Sequence, residues 1–315
     1  ELLKGGAEVY RNTADGSFYV PASAKAKTIL DKAEHGFGMR ITAGKKPAKS
    51  VKIAPSRIAL WDTYGGSMPS GWIRFIMEQY HFDATVIYPQ GIDKGNLKDK
   101  YDVIIFVGGS IPAFNPNATS AAPNRGGFGT PNLETIPEEF KRTVGRVTQE
   151  QSIPQLKAFL EAGGNIVAIG SATNLAAHLN LPVRNSLVET VDGKERRLPA
   201  TKYYVPGSVL NVAVDKSLAA NWGLDQNTDV YFDNSPVFNI DKTAVAGGKI
   251  KPLAWFSNGT PLRSGWAWGQ NYLKDGVAAF EADYGKGKVY AFGPEITFRA
   301  QTHGTFKWMF NQLYK

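Results

Sequence analysis

A doubly wound α/β domain is what this sequence predicts, on three observations. The apolar runs "RIALWDT", "DVIIFVGG" and "NIVAIGS" show no alternation of apolar and polar residues, so the sheet they form is covered on both faces. Stretches of helical spacing, among them "IRFIMEQY" and "QEQSIPQLKAFLEAGG", lie between them. Each run ends in small or turn-forming residues, Asp62-Thr63, Gly108-Gly109 and Gly170-Ser171. Strands separated by helices need crossovers, which set the strands parallel.

The elements follow in order. Residues 1–55 stand apart as a small α+β segment and packing connector. "AEVYRNTADGSFYVPAS" predicts a hairpin turning at Asp15-Gly16. "AKAKTILDKAEHGF" predicts a helix of a little over two turns stopped near Gly36, and "GMRIT" a short strand. A Lys-rich connector, "AGKKPAKSVK", covers residues 43–52. From residue 56 to 315 the chain predicts the α/β domain itself. Its first strand is "RIALWDT", followed by the loop "YGGSMPSGW" and the helix "IRFIMEQY". Then come the strand "ATVIY", a short helix or turn at "NLKDKY" and the strand "DVIIFVGG". The sheet resumes with "QEQSIPQLKAFLEAGG" as helix and "NIVAIGS" as strand.

Two regions interrupt this alternation. Residues 110–148, rich in Asn, Pro, Gly and Ala, predict a long loop beside the ligand edge, of the length that functional lids have. Residues 182–262 predict a β-rich insertion with pieces such as "LNVAV" and "DVYFDNSPVF". "VAAFEADYGKGKVYAFG" predicts two strands joined around residues 284–287, and "GTFKWMFNQLY" a closing helix. The whole predicts a flavodoxin-like, mostly parallel sheet.

Composition excludes several functions. The 315 residues are 43% hydrophobic and 20% charged with seven Trp, an ordered globular balance. No apolar run approaches the length that spans a membrane. Zero cysteines exclude disulfides, thiolate zinc sites and cysteine nucleophiles together. The net charge of +8 is concentrated in residues 1–57, which hold eleven Lys/Arg against five Asp/Glu. That reads as a solvated connector, so no nucleic-acid partner is expected. The four histidines, His35, His81, His178 and His303, lack zinc-helix spacing. Neither G-x-x-x-x-G-K-[ST] nor a strand-to-helix G-x-G-x-x-G is present, and "YGKGK" joins two strands.

Ligands of doubly wound sheets sit outside the carboxyl ends of the strands. This topology selects Asp62, Tyr64, Gly65, Gly66, Gly108, Gly109, Ser110 and Ser171 as ligand-edge candidates. "NIVAIGSATNLAAHL" has the strand, turn and helix of a nucleophile elbow, but G-x-S-x-G around Ser171 fails at Ile169 and Thr173. A serine-type hydrolase using Ser171 would draw its base from His303 or another residue. A third possibility is a stand-alone binding module whose stacking platforms for carbohydrate or peptide come from Trp61, Trp72, Trp222, Trp266, Trp268, Tyr203 and Tyr204.

The order of the "VGG" turn, "FLEAGGNIVAIGSATNLAAHL" and the late "VYAFGPE" resembles the class I glutamine amidotransferase-like fold. That family carries an elbow Cys and a late His-Pro-Glu. Here Gly170 or Ser171 stands at the elbow, and Gly293 stands where the His is expected, ahead of Pro294 and Glu295. The resemblance therefore implies a degenerate site: no nucleophile, no base, and an orienting carboxylate with nothing to orient.

A second resemblance covers most of the chain. "DGSFYVPAS", "GWIRFIMEQYHFDATVIY", "LPVRN", "YYVPGSVLNVAVD", "NSPVF" and "FRAQTHGTFKWMFNQLY" are together similar to the C-terminal region of large bacterial zinc carboxypeptidase-family proteins. It implies a non-catalytic accessory domain, periplasmic or secreted, partnered by an upstream peptidase domain of the same polypeptide, with a possible peptide or cell-wall ligand. The zinc and its His-x-x-Glu ligands are then expected in that upstream domain, with no metal or other cofactor held in this chain.

Overall fold

The structure, a computed structural model, describes residues 1–116 and 132–315. Its N-terminal segment is a three-stranded antiparallel sheet of β1 (Val9–Asn12), β2 (Phe18–Tyr19) and β3 (Ser50–Ile53), with β1 in the middle. The hairpin turns where expected, with Gly16 at φ 76°. A Cβ there would meet the Trp222 ring at 2.5 Å, so glycine is required for packing as well as for φ. The helix Ala24–Phe37 covers the whole predicted stretch, with more turns than the two or so expected of it, capped by Ser23 and ended by Gly38 in the left-handed region. "GMRIT" forms no strand. The third strand comes instead from the Lys-rich stretch, where Ser50–Ile53 pairs all four residues with β1. Pairing with a formed hairpin overrides the polar composition of that stretch.

This small unit packs on the rest of the same chain. Arg11 donates to Asn311 at 2.6 Å and lies over the Trp222 ring at 4.5 Å. Ala54 and Lys315 exchange backbone hydrogen bonds of 2.6 and 3.0 Å.

The large sheet has a parallel half, made of β4 (Ile58–Trp61), β5 (Ala84–Ile87), β6 (Val103–Phe106), β7 (Asn165–Ile169) and, last in the chain, Gly287–Phe292. The insertion contributes β8 (Val183–Asn185), β9 (Val188–Val191), β10 (Lys194–Arg197), β11 (Ser208–Val214), β12 (Asn227–Phe232), β13 (Phe238–Ile240), β14 (Ile250–Trp255) and β15 (Leu262–Ser264). β16 (Val277–Tyr284) and β17 (Gly287–Phe292) follow. The path across the sheet is β12-β11-β14-β16-β17-β7-β6-β4-β5. From β17 to β5 every pairing is parallel, and along the path from β17 to β12 every pairing is antiparallel.

Counting only the parallel strands in chain order, their spatial order is 2-1-3-4-5, the flavodoxin-like order. The fold is thus α/β, with a flavodoxin-like parallel half carrying a β-rich insertion. Strands β4 and β6 are buried at all four positions, as two-sided coverage demands. The helix Met68–Gln79 covers one of those faces through Ile73, Ile76 and Met77, at helical spacing. One apolar core runs from Ile58 and Ile105 in the parallel half to Phe256 and Phe280 in the antiparallel half. At the amino ends of β4 and β6, Asp102 receives Arg57, Lys98 and Lys315 at 2.9 Å each, tying the two strands and the C-terminus together. Those cations, Arg57 first, hold its carboxyl far below the usual range.

The long loop predicted over residues 110–148 contains the short helices Leu133–Thr135 and Glu138–Lys141 in its described part. Its stretch 117–131 lies outside the described residues. The closing helix is short, Phe306–Phe310, and buries Phe306, Trp308 and Met309.

Candidate functional site

The ligand-edge candidates separate into two groups. Asp62, Tyr64, Gly65 and Gly66 follow β4 and line a cleft of about 400 Å³ with Thr63, Tyr88, Phe140 and Thr143. This cleft lies beyond the carboxyl ends of β4 and β5, under the segment that carries Phe140 and Thr143. Asp62 serves the loop: its Oδ1 accepts from the backbone N–H of Thr63 at 2.8 Å and of Ser67 at 2.7 Å. Ser67 then begins the helix Met68–Gln79.

Gly108, Gly109, Gly170 and Ser171 meet at the elbow, together with Glu295. Gly170 follows β7 with φ 60°, the strained left-handed position of a strand-to-helix turn. The elbow position is therefore Gly170, and Ser171 is the residue after it. Ser171 Oγ accepts the N–H of Gly109 at 2.8 Å. A backbone N–H from the loop after the third parallel strand is of the kind that stabilises an oxyanion. Here a hydroxyl of the protein occupies it.

Glu295 fills the space over Gly170. A Cβ on Gly170 would lie 2.3 Å from Glu295 Oε1, and one on Gly108 would lie 3.4 Å from it. The carboxyl has no hydrogen-bond donor among the described residues. Burial first, and the Asp233 carboxylate second, push its pKa up to about 7. Its backbone is fixed by an N–H to the Tyr231 carbonyl at 3.1 Å. The Tyr231 ring stacks on Phe298 at 3.7 Å, and Trp72 meets Phe298 edge-on at 5.0 Å.

Gly293, the expected base position, faces elsewhere. A Cβ there would lie 2.0 Å from the Pro236 carbonyl oxygen and 3.1 Å from that of Ala278. Both obstacles are backbone, so nothing can swing aside. Gly293 also donates its N–H to the Ala278 carbonyl at 2.9 Å.

Several candidates lie outside both groups. Ser110 is buried and donates to the Val107 carbonyl at 2.6 Å, which corrects its place on the ligand edge: a hydroxyl satisfied by its own turn faces inward. His303 packs on Phe306 at 5.0 Å, and no hydrogen bond joins it to Ser171. His178 is buried and its Nε2–H donates to the Pro112 carbonyl at 2.9 Å, pinning the start of the loop after β6. Among the described residues no cluster of His, Asp and Glu could hold a metal ion, and no helix is long and apolar enough to cross a membrane.

The proposed stacking aromatics also divide. Trp61 and Tyr203 are buried, Trp72 packs on Phe298, and Trp222 packs under Arg11, which removes these four as platforms. Their rings fill space between elements, which is where large aromatics most reduce apolar exposure. Trp266, Trp268 and Tyr204 remain exposed.

Sequence reasoning missed Tyr88, Phe140 and Thr143 in the cleft, and Pro236, Tyr231 and Asp233 around the elbow. All come from segments remote in sequence, and no local pattern marks them.

No protein-family model matches the chain, and no curated protein matches its sequence. Solved structures do resemble it. PurLQS from Thermotoga maritima is 13% identical over 82% of this chain and 98% of its own, with a TM-score of 0.45. A GMP synthase component from Thermoplasma acidophilum is 12% identical over 82% of this chain and 92% of its own, with a TM-score of 0.44. A ThuA-like protein from Bacteroides uniformis is 10% identical over 86% of this chain and 94% of its own, with a TM-score of 0.44.

Proposed function

We propose that this chain is a non-catalytic, amidotransferase-like module that supports a zinc carboxypeptidase domain of the same polypeptide. The observation that carries the non-catalytic part is the Pro236 carbonyl 2.0 Å from where a Gly293 side chain would begin. A nucleophile needs a base within hydrogen-bond reach, and backbone occupies that base's place. The elbow supports the same reading: Gly170 has no side chain, and the N–H of Gly109 is held by Ser171. The supporting role, the exported location and the zinc in the partner domain rest on the motif resemblance from "DGSFYVPAS" to "FRAQTHGTFKWMFNQLY".

The test has two parts. Glutamine hydrolysis and fluorophosphonate labelling are measured on this chain and on Ser171→Ala. Neither activity is expected; labelling that Ser171→Ala removes overturns the non-catalytic reading in favour of a serine-type hydrolase. The reading frame ahead of the Glu1 codon is then sequenced. A continuous frame encoding His-x-x-Glu and a later His is expected, and deleting this module from that polypeptide should lower the melting temperature of the peptidase or its rate. A frame without those ligands overturns the supporting role.

A further inference from the structure

We propose that Tyr204, Trp266 and Trp268 form a stacking platform for an oligosaccharide of β-linked, all-equatorial pyranose rings. The platform lies in the antiparallel half and is independent of the elbow.

Backbone pairing puts Tyr204 and Trp268 on one face, and a ring contact joins Trp266 to them. Tyr204 and Trp268 exchange both backbone hydrogen bonds at 3.0 Å, so they are directly opposed across an antiparallel bridge and their side chains share a face. Trp266, two residues before Trp268, brings its ring against that of Tyr204. Its ring centroid is 6.0 Å from that of Tyr204, with the planes 67° apart. The alternate residues turn inward: Tyr203 is buried and Ala267 packs against the core. Trp266 and Trp268 are 54% and 53% exposed, against 5% for Trp61.

The Trp266 backbone and the Trp268 ring are held in place before any ligand arrives. The buried Ser208 hydroxyl donates to the Trp266 carbonyl at 2.6 Å and accepts the Trp266 N–H at 2.9 Å. The Trp268 indole donates to the Thr201 carbonyl at 2.8 Å. Gly265 (φ 97°) and Gly269 (φ 68°) flank the pair; a Cβ on Gly269 would sit 2.0 Å from the Lys202 carbonyl oxygen. The segment is pressed onto its support at both ends while its rings face solvent. A surface that is rigid beforehand loses less ordering entropy on binding.

The chemistry favours sugar over a protein partner. Across residues 199–208 and 261–275 the large exposed apolar side chains are Tyr204, Trp266, Trp268 and Tyr272, all aromatic. Ion pairs lie beside them, Lys202 with Glu189 and Arg263 with Asp229, rather than a continuous apolar patch. An all-equatorial pyranose offers the complement: flat faces of polarised C–H bonds for the negative face of each ring, and hydroxyls at its edge for charged groups.

The experiment is calorimetric titration of the whole chain with cellohexaose and with chitohexaose. Saturable binding of at least one is expected, weakened about tenfold or more by Trp266→Ala and by Trp268→Ala at an unchanged melting temperature. Phe75→Ser, an exposed ring on the helix Met68–Gln79, should leave it unchanged. Trp266→Leu, which keeps bulk without the aromatic face, separates stacking from loss of fold: it should bind as weakly as Trp266→Ala. No binding of either oligosaccharide overturns the proposal. So does binding that survives both tryptophan substitutions.

Discussion

Glycine does opposite work in the two halves of this molecule. At the elbow, Gly170 and Gly293 let other groups close in: Glu295 takes the space over one, and the Pro236 carbonyl takes the space over the other. In the antiparallel half, Gly265 and Gly269 let the backbone press inward so that Trp266 and Trp268 stand out. The same missing Cβ lets neighbouring groups close over the backbone in one place and lets the backbone sit against its support in the other.

Four substitutions break or sharpen this comparison. Gly293→Ala has the largest expected effect, since its Cβ meets backbone at 2.0 Å. A loss of about 4 kcal/mol or more is expected, read as insoluble protein or a collapsed urea midpoint. Gly269→Ala combines a left-handed φ of 68° with a 2.0 Å contact to the Lys202 carbonyl. A loss of about 2–3 kcal/mol is expected by thermal melting, together with weaker oligosaccharide binding, because the whole segment must shift outward.

Glu295→Gln acts through pH. The folded-state pKa of Glu295 is raised to about 7, against about 4.3 in an unfolded chain. Between those values the folded protein holds the proton and the unfolded chain does not, so this group lowers stability as pH rises. Glutamine removes that penalty. The variant should match the natural protein near pH 4 and exceed it at pH 8 by about 3 kcal/mol, measured by urea titration at both values. Ser171→Ala should have the smallest effect, within about 1 kcal/mol, because the Gly109 N–H it abandons is exposed to water. A larger loss would mean that the Ser171 hydroxyl organises the elbow.

The parallel half was legible in the sequence because its code is local. Uninterrupted apolar runs such as "DVIIFVGG" are buried on both sides wherever they occur, and β6 lies inside that run. Asp62, Tyr64, Gly65 and Gly66 could be placed on one edge for the same reason: each follows the end of β4. "GMRIT" misled because a short apolar-polar alternation carries no information about whether a partner strand is free. Ser50–Ile53 became the strand because β1 was there to pair with it. Ser110 misled in the same way, since only the turn geometry decides that its hydroxyl bonds Val107.

The sequence by itself determined the alternation of strands and helices, the absence of thiol chemistry, and the glycines at positions 170 and 293. It also held, unread, the period-two pattern of "GWAWG". Tertiary structure alone decided that Gly293 is sealed by Pro236, which belongs to a different strand connection. It alone decided that Tyr204 lies opposite Trp268. Local burial is set by each segment's own periodicity, whereas these contacts depend on which distant backbones the sheet brings together.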